Sequence, residues 1–167
     1  MYVSQPTINA ITELIGALQT GNRILDRCKS VINAKFAYPV TAKYVHKMAH
    51  YLPATFDKLG EKCLERYNIP VYYPSTPAGG QDYDNVVDAI LDVEKTIVDI
   101  QTMFIGCCKI AQQNDDLHVY ADLLDILEDY NEAVEQAILL GDKIRLYGEK
   151  PNFDSNITKW WTWTPDD

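Results

Sequence analysis

Asn68-Ile-Pro-Val-Tyr-Tyr-Pro-Ser-Thr-Pro-Ala-Gly-Gly-Gln-Asp82 is the stretch on which the fold turns. Pro70, Pro74, Pro77 and the Gly79-Gly80 pair deny it a helix or a central strand. It lies between the second and third of four segments with helical periodicity, and the other two connections are short. A structureless connection of this length is unusual inside a compact domain unless it spans the whole molecule. The order short, long, short therefore predicts an all-α four-helix bundle with one long crossover between helices two and three, joining two parallel neighbours.

The four segments are read from apolar recurrence at helical spacing. The first runs from about Thr7 to Lys35 through Ile11, Leu14, Ile15, Leu18, Leu25 and Ile32, with Pro6 near its start and Gly21-Asn22 as a weak point. The second runs from about Thr41 to Tyr67 through Val45, Ala49, Leu52, Phe56, Leu59 and Cys63, and Pro53 within it predicts a kink. The third runs from Asp84, a good N-cap residue, to Gln113 through Val86, Ile90, Val93, Ile97, Ile100, Phe104, Cys108 and Ala111. Asn114-Asp115-Asp116 makes the last turn. The fourth segment, Leu117 to Tyr147, carries Leu124, Leu127, Val134 and Ile138 and ends at Gly148. Residues 1–148 thus read as the bundle. Residues 149–167 read as a tail whose Trp160, Trp161 and Trp163 pack on the bundle or on a neighbouring subunit.

At 167 residues with 47% hydrophobic content, the chain is long enough for one domain with a real core. A formal charge of -9 opposes direct DNA binding, which depends on cations meeting phosphate, and suits attraction of cations. No apolar run is long enough to span a membrane, and the first residues do not read as a signal peptide. The expected compartment is the cytoplasm, with Cys28, Cys63, Cys107 and Cys108 as buried free thiols. No phosphate-binding glycine loop and no G-x-S-x-G nucleophile elbow occurs.

The chemistry-bearing residues concentrate on two helices. His46 and His50 lie one turn apart on helix two, and Asp57 and Glu61 follow on the same stripe. That stripe is offset from the apolar face, so it belongs at the bundle edge or at a subunit boundary. Two imidazoles at i,i+4 with nearby carboxylates suit iron or manganese; the same residues also read as an ordinary polar flank. On helix four, Glu128, Asn131 and Glu135 fall near the apolar face, where Glu94 and Gln101 of helix three can meet them. Asp26 on helix one is a further candidate. These carboxylates read either as ligands or as partners in interhelical hydrogen bonds and ion pairs. No Glu-x-x-His occurs anywhere, and helix one offers only Glu13, on the side away from its apolar face.

With these residues in view, the chain from Ile8 to Tyr147 resembles the ferritin-like superfamily. It looks most like the Dps-like ferritins, the DNA-protection-in-starved-cells type. The likeness rests on helix order and length, on the stretch from His46-Lys-Met-Ala-His50 through Phe56-Asp57 to Glu61, and on the Asn114-Asp115-Asp116 turn into a last helix rich in Leu and acids. The resemblance implies a homo-oligomeric shell that oxidises iron(II) with peroxide or oxygen and stores iron(III). It also implies a site shared across a two-fold interface, with His46, His50, Asp57 and Glu61 as ligands. Glu128 joins them as a candidate, with Asp26, Glu94 and Glu135 behind. The two histidines stand closer together than the family's usual pair. The missing Glu-x-x-His keeps open a bundle without redox activity that works as an oligomeric binding or scaffold protein. An unrelated all-α bundle that packs a partner helix or a small molecule is a third reading.

Overall fold

The computed structural model describes residues 2–148 and 150–163. Its long elements are α1 (Gln5–Ala34), α2 (Pro39–Cys63), α3 (Val86–Gln113) and α4 (Leu117–Tyr147), followed by the short helix α5 (Phe153–Asn156). Single 3-10 turns occupy Glu65–Tyr67 and Ile157–Lys159, and no strand occurs among the described residues.

Contacts between side chains fix the topology. Asn22 reaches Ala49 and Ser4 reaches Asp116, so α1 runs antiparallel to α2 and to α3 and lies beside both. Tyr130 of α4 bonds the Ile97 carbonyl of α3, while Tyr67 meets Asp122, so α4 runs antiparallel to α3 and pairs with α2. The helices before and after the crossover, α2 and α3, are therefore parallel, as expected. They occupy diagonal corners of the bundle, however, and are not neighbours. Each packs against α1 and α4, because the crossover spans α1 on its way.

The crossover lies along α1 and α2 over small residues. A β-carbon at Gly60 would stand 3.0 Å from Val71, and one at Gly16 would stand 3.1 Å from Pro74. Farther along, Gln81 Nε2 donates to the Ile24 carbonyl at 3.1 Å, and Arg27 Nε donates to the Gln81 carbonyl at 2.8 Å. Lys35 holds Asp82 at 3.0 Å near the end of α1. Tyr83 then bridges the Cys28 thiol and Asp92. Backbone polar groups of an irregular segment are thus met by side chains of the helix beneath, as a segment without ladder partners requires.

The helix ends differ in detail from the sequence reading. Asn85, not Asp84, caps α3, its side chain accepting from Asp88 N at 2.9 Å. Residues from Leu64 to Tyr67 leave the α-helix for a 3-10 turn that Asn68, at φ 62°, closes. The α1–α2 connection turns at Ala37 with φ 58°. Gly148 ends α4 at φ 52°.

Two helices are capped from afar. Asp116 Oδ2 accepts from Ser4 Oγ and Thr7 Oγ1, each at 2.5 Å, so the α3–α4 turn closes the start of α1. The tail supplies the other cap: Asp154 accepts from the N–H groups of Val40 (3.2 Å) and Thr41 (2.7 Å), in the first turn of α2. A carboxylate there meets both the orphan donors and the helix dipole. Trp161 is fully buried, with its ring 4.9 Å from that of Tyr44, and Trp163 stands 5.5 Å from Tyr51.

The long α-helix runs unbroken through Pro53. A proline cannot donate to the carbonyl four residues back, which here belongs to Ala49. Asn22 Nδ2 takes up that carbonyl at 2.9 Å. The residue that looked like a weak point in α1 therefore compensates the proline in α2.

Candidate metal-binding residues and the bundle interior

The ferritin-type di-metal centre needs carboxylates and histidines projecting inward from all four helices. This interior does not supply them. Its buried polar and charged residues, among those described, are Thr7, Thr41, Thr55, Thr96 and Asp116, and Asp116 is committed to the α1 cap. Mid-bundle, the space above Gly21 is filled by Ile100, Leu52 and Thr96. Tyr130 is buried and spends its hydroxyl proton on the Ile97 carbonyl at 2.8 Å. These residues do not fit an interior di-iron centre.

The helix-two stripe lies on the outside. His46, His50, Asp57 and Glu61 are all exposed, on the flank that their offset from the apolar positions predicted. The two imidazoles meet edge to face, with centroids 4.3 Å apart. His46 is held below its ordinary pKa by partial burial, then by His50 and Lys29, against an opposing pull from Asp26. Asp26 and Lys29 thus bear on His46 across the α1–α2 seam. A neutral imidazole is the form that binds a metal.

The rest of the stripe is too far to join them in one chain. At about 1.5 Å of rise per residue, Asp57 lies roughly 10 Å along the axis from His50, and Glu61 roughly 16 Å. Ligand bonds of about 2 Å exclude one ion reaching both ends. Among the described residues, no group of three or more His, Cys, Asp and Glu side chains converges as a ligand set.

The helix-four candidates are placed differently from expectation. Glu128 and Glu135 are exposed, because the buried face of α4 is Val119, Leu123, Ile126, Tyr130, Ala133, Val134, Ala137, Leu140 and Ile144. Leu124 and Ile138, which had set the expected stripe, are each 41% exposed. Helix four carries apolar residues on two faces, and periodicity alone does not say which is inward. Gln101 does meet Asn131, at 2.9 Å. Glu94 is half-buried and accepts from Arg145 at 2.8 Å, and Arg145 also holds Asp142 at 3.1 Å. The Glu94 carboxylate lies directly over Gly141, where a β-carbon would overlap it.

The cysteines are buried and free. Burial pushes the thiols of Cys28 and Cys107 up to about 12 and that of Cys108 to about 11, and it raises Cys63 as well. None is a ready thiolate nucleophile. Sequence reasoning missed the two remote carboxylate caps and a basic, aromatic pocket at the end of α4. The signals for that pocket were three lysines, Lys143, Lys150 and Lys159, gathered beside the Trp-rich tail.

Comparison with solved structures gives the bundle its class. The chain superposes on a humanized archaeal ferritin with a TM-score of 0.86, covering 98% of this chain and 100% of that one at 14% identity. An engineered closed form of the Archaeoglobus fulgidus ferritin gives 0.81, with 94% and 97% covered at 15% identity. A variant of the ferritin PmFTN, in a crystal soaked in iron, gives 0.80, with 90% and 95% covered at 10% identity. No family model and no curated protein matches the sequence. The architecture is therefore the ferritin-like four-helix fold, in keeping with the expected single-crossover bundle. No helix among the described residues is long and apolar enough to cross a membrane.

Proposed function

We propose that this chain is a Dps-like, ferritin-fold subunit of a cytoplasmic homo-oligomer that binds iron(II) on its outer face and not inside the bundle. The observation that carries the reading is the pairing of His46 and His50 at 4.3 Å on an exposed flank, beside an interior without ligands. Two imidazoles make half a site. A neighbouring subunit completes it with carboxylates, for which Asp57 and Glu61 are the first candidates and Glu128 the next. Asp26 stands near enough to His46 to bias its charge, and so supports the same site from within the chain. Glu135 ranks behind these, and Glu94 is engaged by Arg145. Residues 1–148 supply the shell-forming bundle, and residues 149–167 form a tail, in which Asp154 steadies the start of α2. The exposed Leu117, Leu124 and Ile138 on α4 give the subunit apolar surface for assembly.

A second reading follows from the same interior. A ferritin-fold bundle with no inward ligands and no converging set of three among the described residues serves equally as a non-redox oligomeric scaffold. Anaerobic iron(II) titration of the assembled protein separates the two. The first reading expects saturable binding that His46→Ala with His50→Ala abolishes. Binding unchanged by that double substitution would show the wrong site, and no binding at all would favour the scaffold.

A further inference from the structure

At the C-terminal end of α4 the tail folds back to form a pocket of about 360 Å³. That is at the small end of the range, about 300–1,000 Å³, usual for ligand sites. Lys143, Lys150 and Lys159 line it together with Tyr147, Phe153 and Trp160. Asn152 and Asn156 add side-chain amides, and none of the described lining residues is acidic. On a chain of net charge -9, three ammonium groups without a described carboxylate partner form a local reversal of sign.

The aromatic rings are tied to these charges. Lys143 Nζ stands 5.6 Å from the centroids of both Tyr147 and Trp160, and Lys150 Nζ stands 5.6 Å from Tyr147. The Phe153 and Trp160 rings lie 6.1 Å apart, and Phe153 is buried as the floor. The end of a helix favours a nearby cation, which accounts for Lys143 in the last turns of α4. It does not account for Lys150 and Lys159, which belong to the tail. Lys143 and Lys150 both stand over Tyr147, so these two cations are near enough to repel one another, and an anion beside them relieves that repulsion.

We infer that this pocket binds a small phosphorylated ligand with a flat ring, of the nucleoside monophosphate type. The lysines would neutralise a phosphate of about -1.5 to -2 charge. The ring would take the place of Lys143 over Trp160, whose ring also stacks on Trp161, as that lysine turns to the phosphate; such stacking is indifferent to the identity of the base. The asparagine amides would meet the polar groups between. This site is separate from the α1–α2 seam that carries the histidines, and it does not depend on iron binding.

Calorimetric titration of the full chain with AMP, adenosine and inorganic phosphate, at low salt, tests it. The expected result is saturable AMP binding at least about tenfold tighter than either fragment, weakening as salt rises. Lys143→Gln with Lys159→Gln should weaken AMP by about tenfold or more. Trp160→Leu should erase the advantage of AMP over phosphate. AMP binding no tighter than phosphate, binding untouched by the double lysine variant, or no binding at millimolar AMP would each overturn the assignment.

Discussion

Asn22 shows how one side chain can carry a long-range obligation. Its amide serves the Ala49 carbonyl that Pro53 leaves without a helical donor. Asn22→Ala should cost about 1–3 kcal/mol, the range for stranding a buried acceptor. In a Pro53→Ala background the helix supplies its own donor, so the same substitution should cost much less. A double-mutant cycle in urea checks this, and strictly additive effects would contradict it. Asp116 sets a second test. Burial acts to raise its pKa, but hydrogen bonds from Ser4 and Thr7, with His118 nearby, outweigh that and hold it below the usual 3.8. A depressed carboxyl stabilises the fold above its unfolded value and ceases to as pH falls through its folded one. Stability should therefore fall below pH 3.8 more steeply in the native chain than in Asp116→Asn, as read from denaturation midpoints across acid pH. Proline and the acidic turn were legible in the sequence. Their partners were not, because Asn22 and Ser4 lie in a different helix and no local pattern ties them together.

At the scale of elements, periodicity served best where one face alone is apolar. The third helix, with its single stripe, was readable almost to the residue, and its cap was off by one because Asp84 and Asn85 are both good caps. The fourth helix was misoriented, since Leu124 and Ile138 mimic a core stripe while Tyr130 and small residues such as Ala133 and Ala137 do the packing. The crossover was legible from its prolines and glycines, but its path along α1 rests on Gly16 and Gly60, whose role shows only when Pro74 and Val71 arrive. The tail is the element whose contribution can be measured. Trp161 is fully buried against Tyr44, and Asp154 caps α2. Trp161→Ala should cost about 3–5 kcal/mol, as removal of a large core side chain does. Asp154→Ala should cost about 1 kcal/mol through the lost cap. Hydrogen exchange should show the second loss at Val40 and Thr41 first. Protection unchanged at those amides would mean that the tail does not close α2.

At the scale of the molecule, two facts stand together: a ferritin-like bundle and an interior filled with aliphatic and aromatic side chains. The first was legible in the order of connections, and the absence of Glu-x-x-His already signalled the second. What a single chain cannot spell out is which exposed residues become neighbours on assembly, because that depends on a surface and not on a sequence interval. His46 gives the proposed outer site a pH signature. Its lowered pKa keeps that imidazole neutral into more acidic solution than an ordinary histidine, so proton competition at His46 should begin below pH 6.5. The most direct test of the account is anaerobic iron(II) binding to the assembled protein at neutral pH, native against His46→Ala with His50→Ala. The account predicts saturable binding in the native protein and its loss in the variant, with the oligomer peak and helicity unchanged. Iron bound equally by both proteins would contradict it.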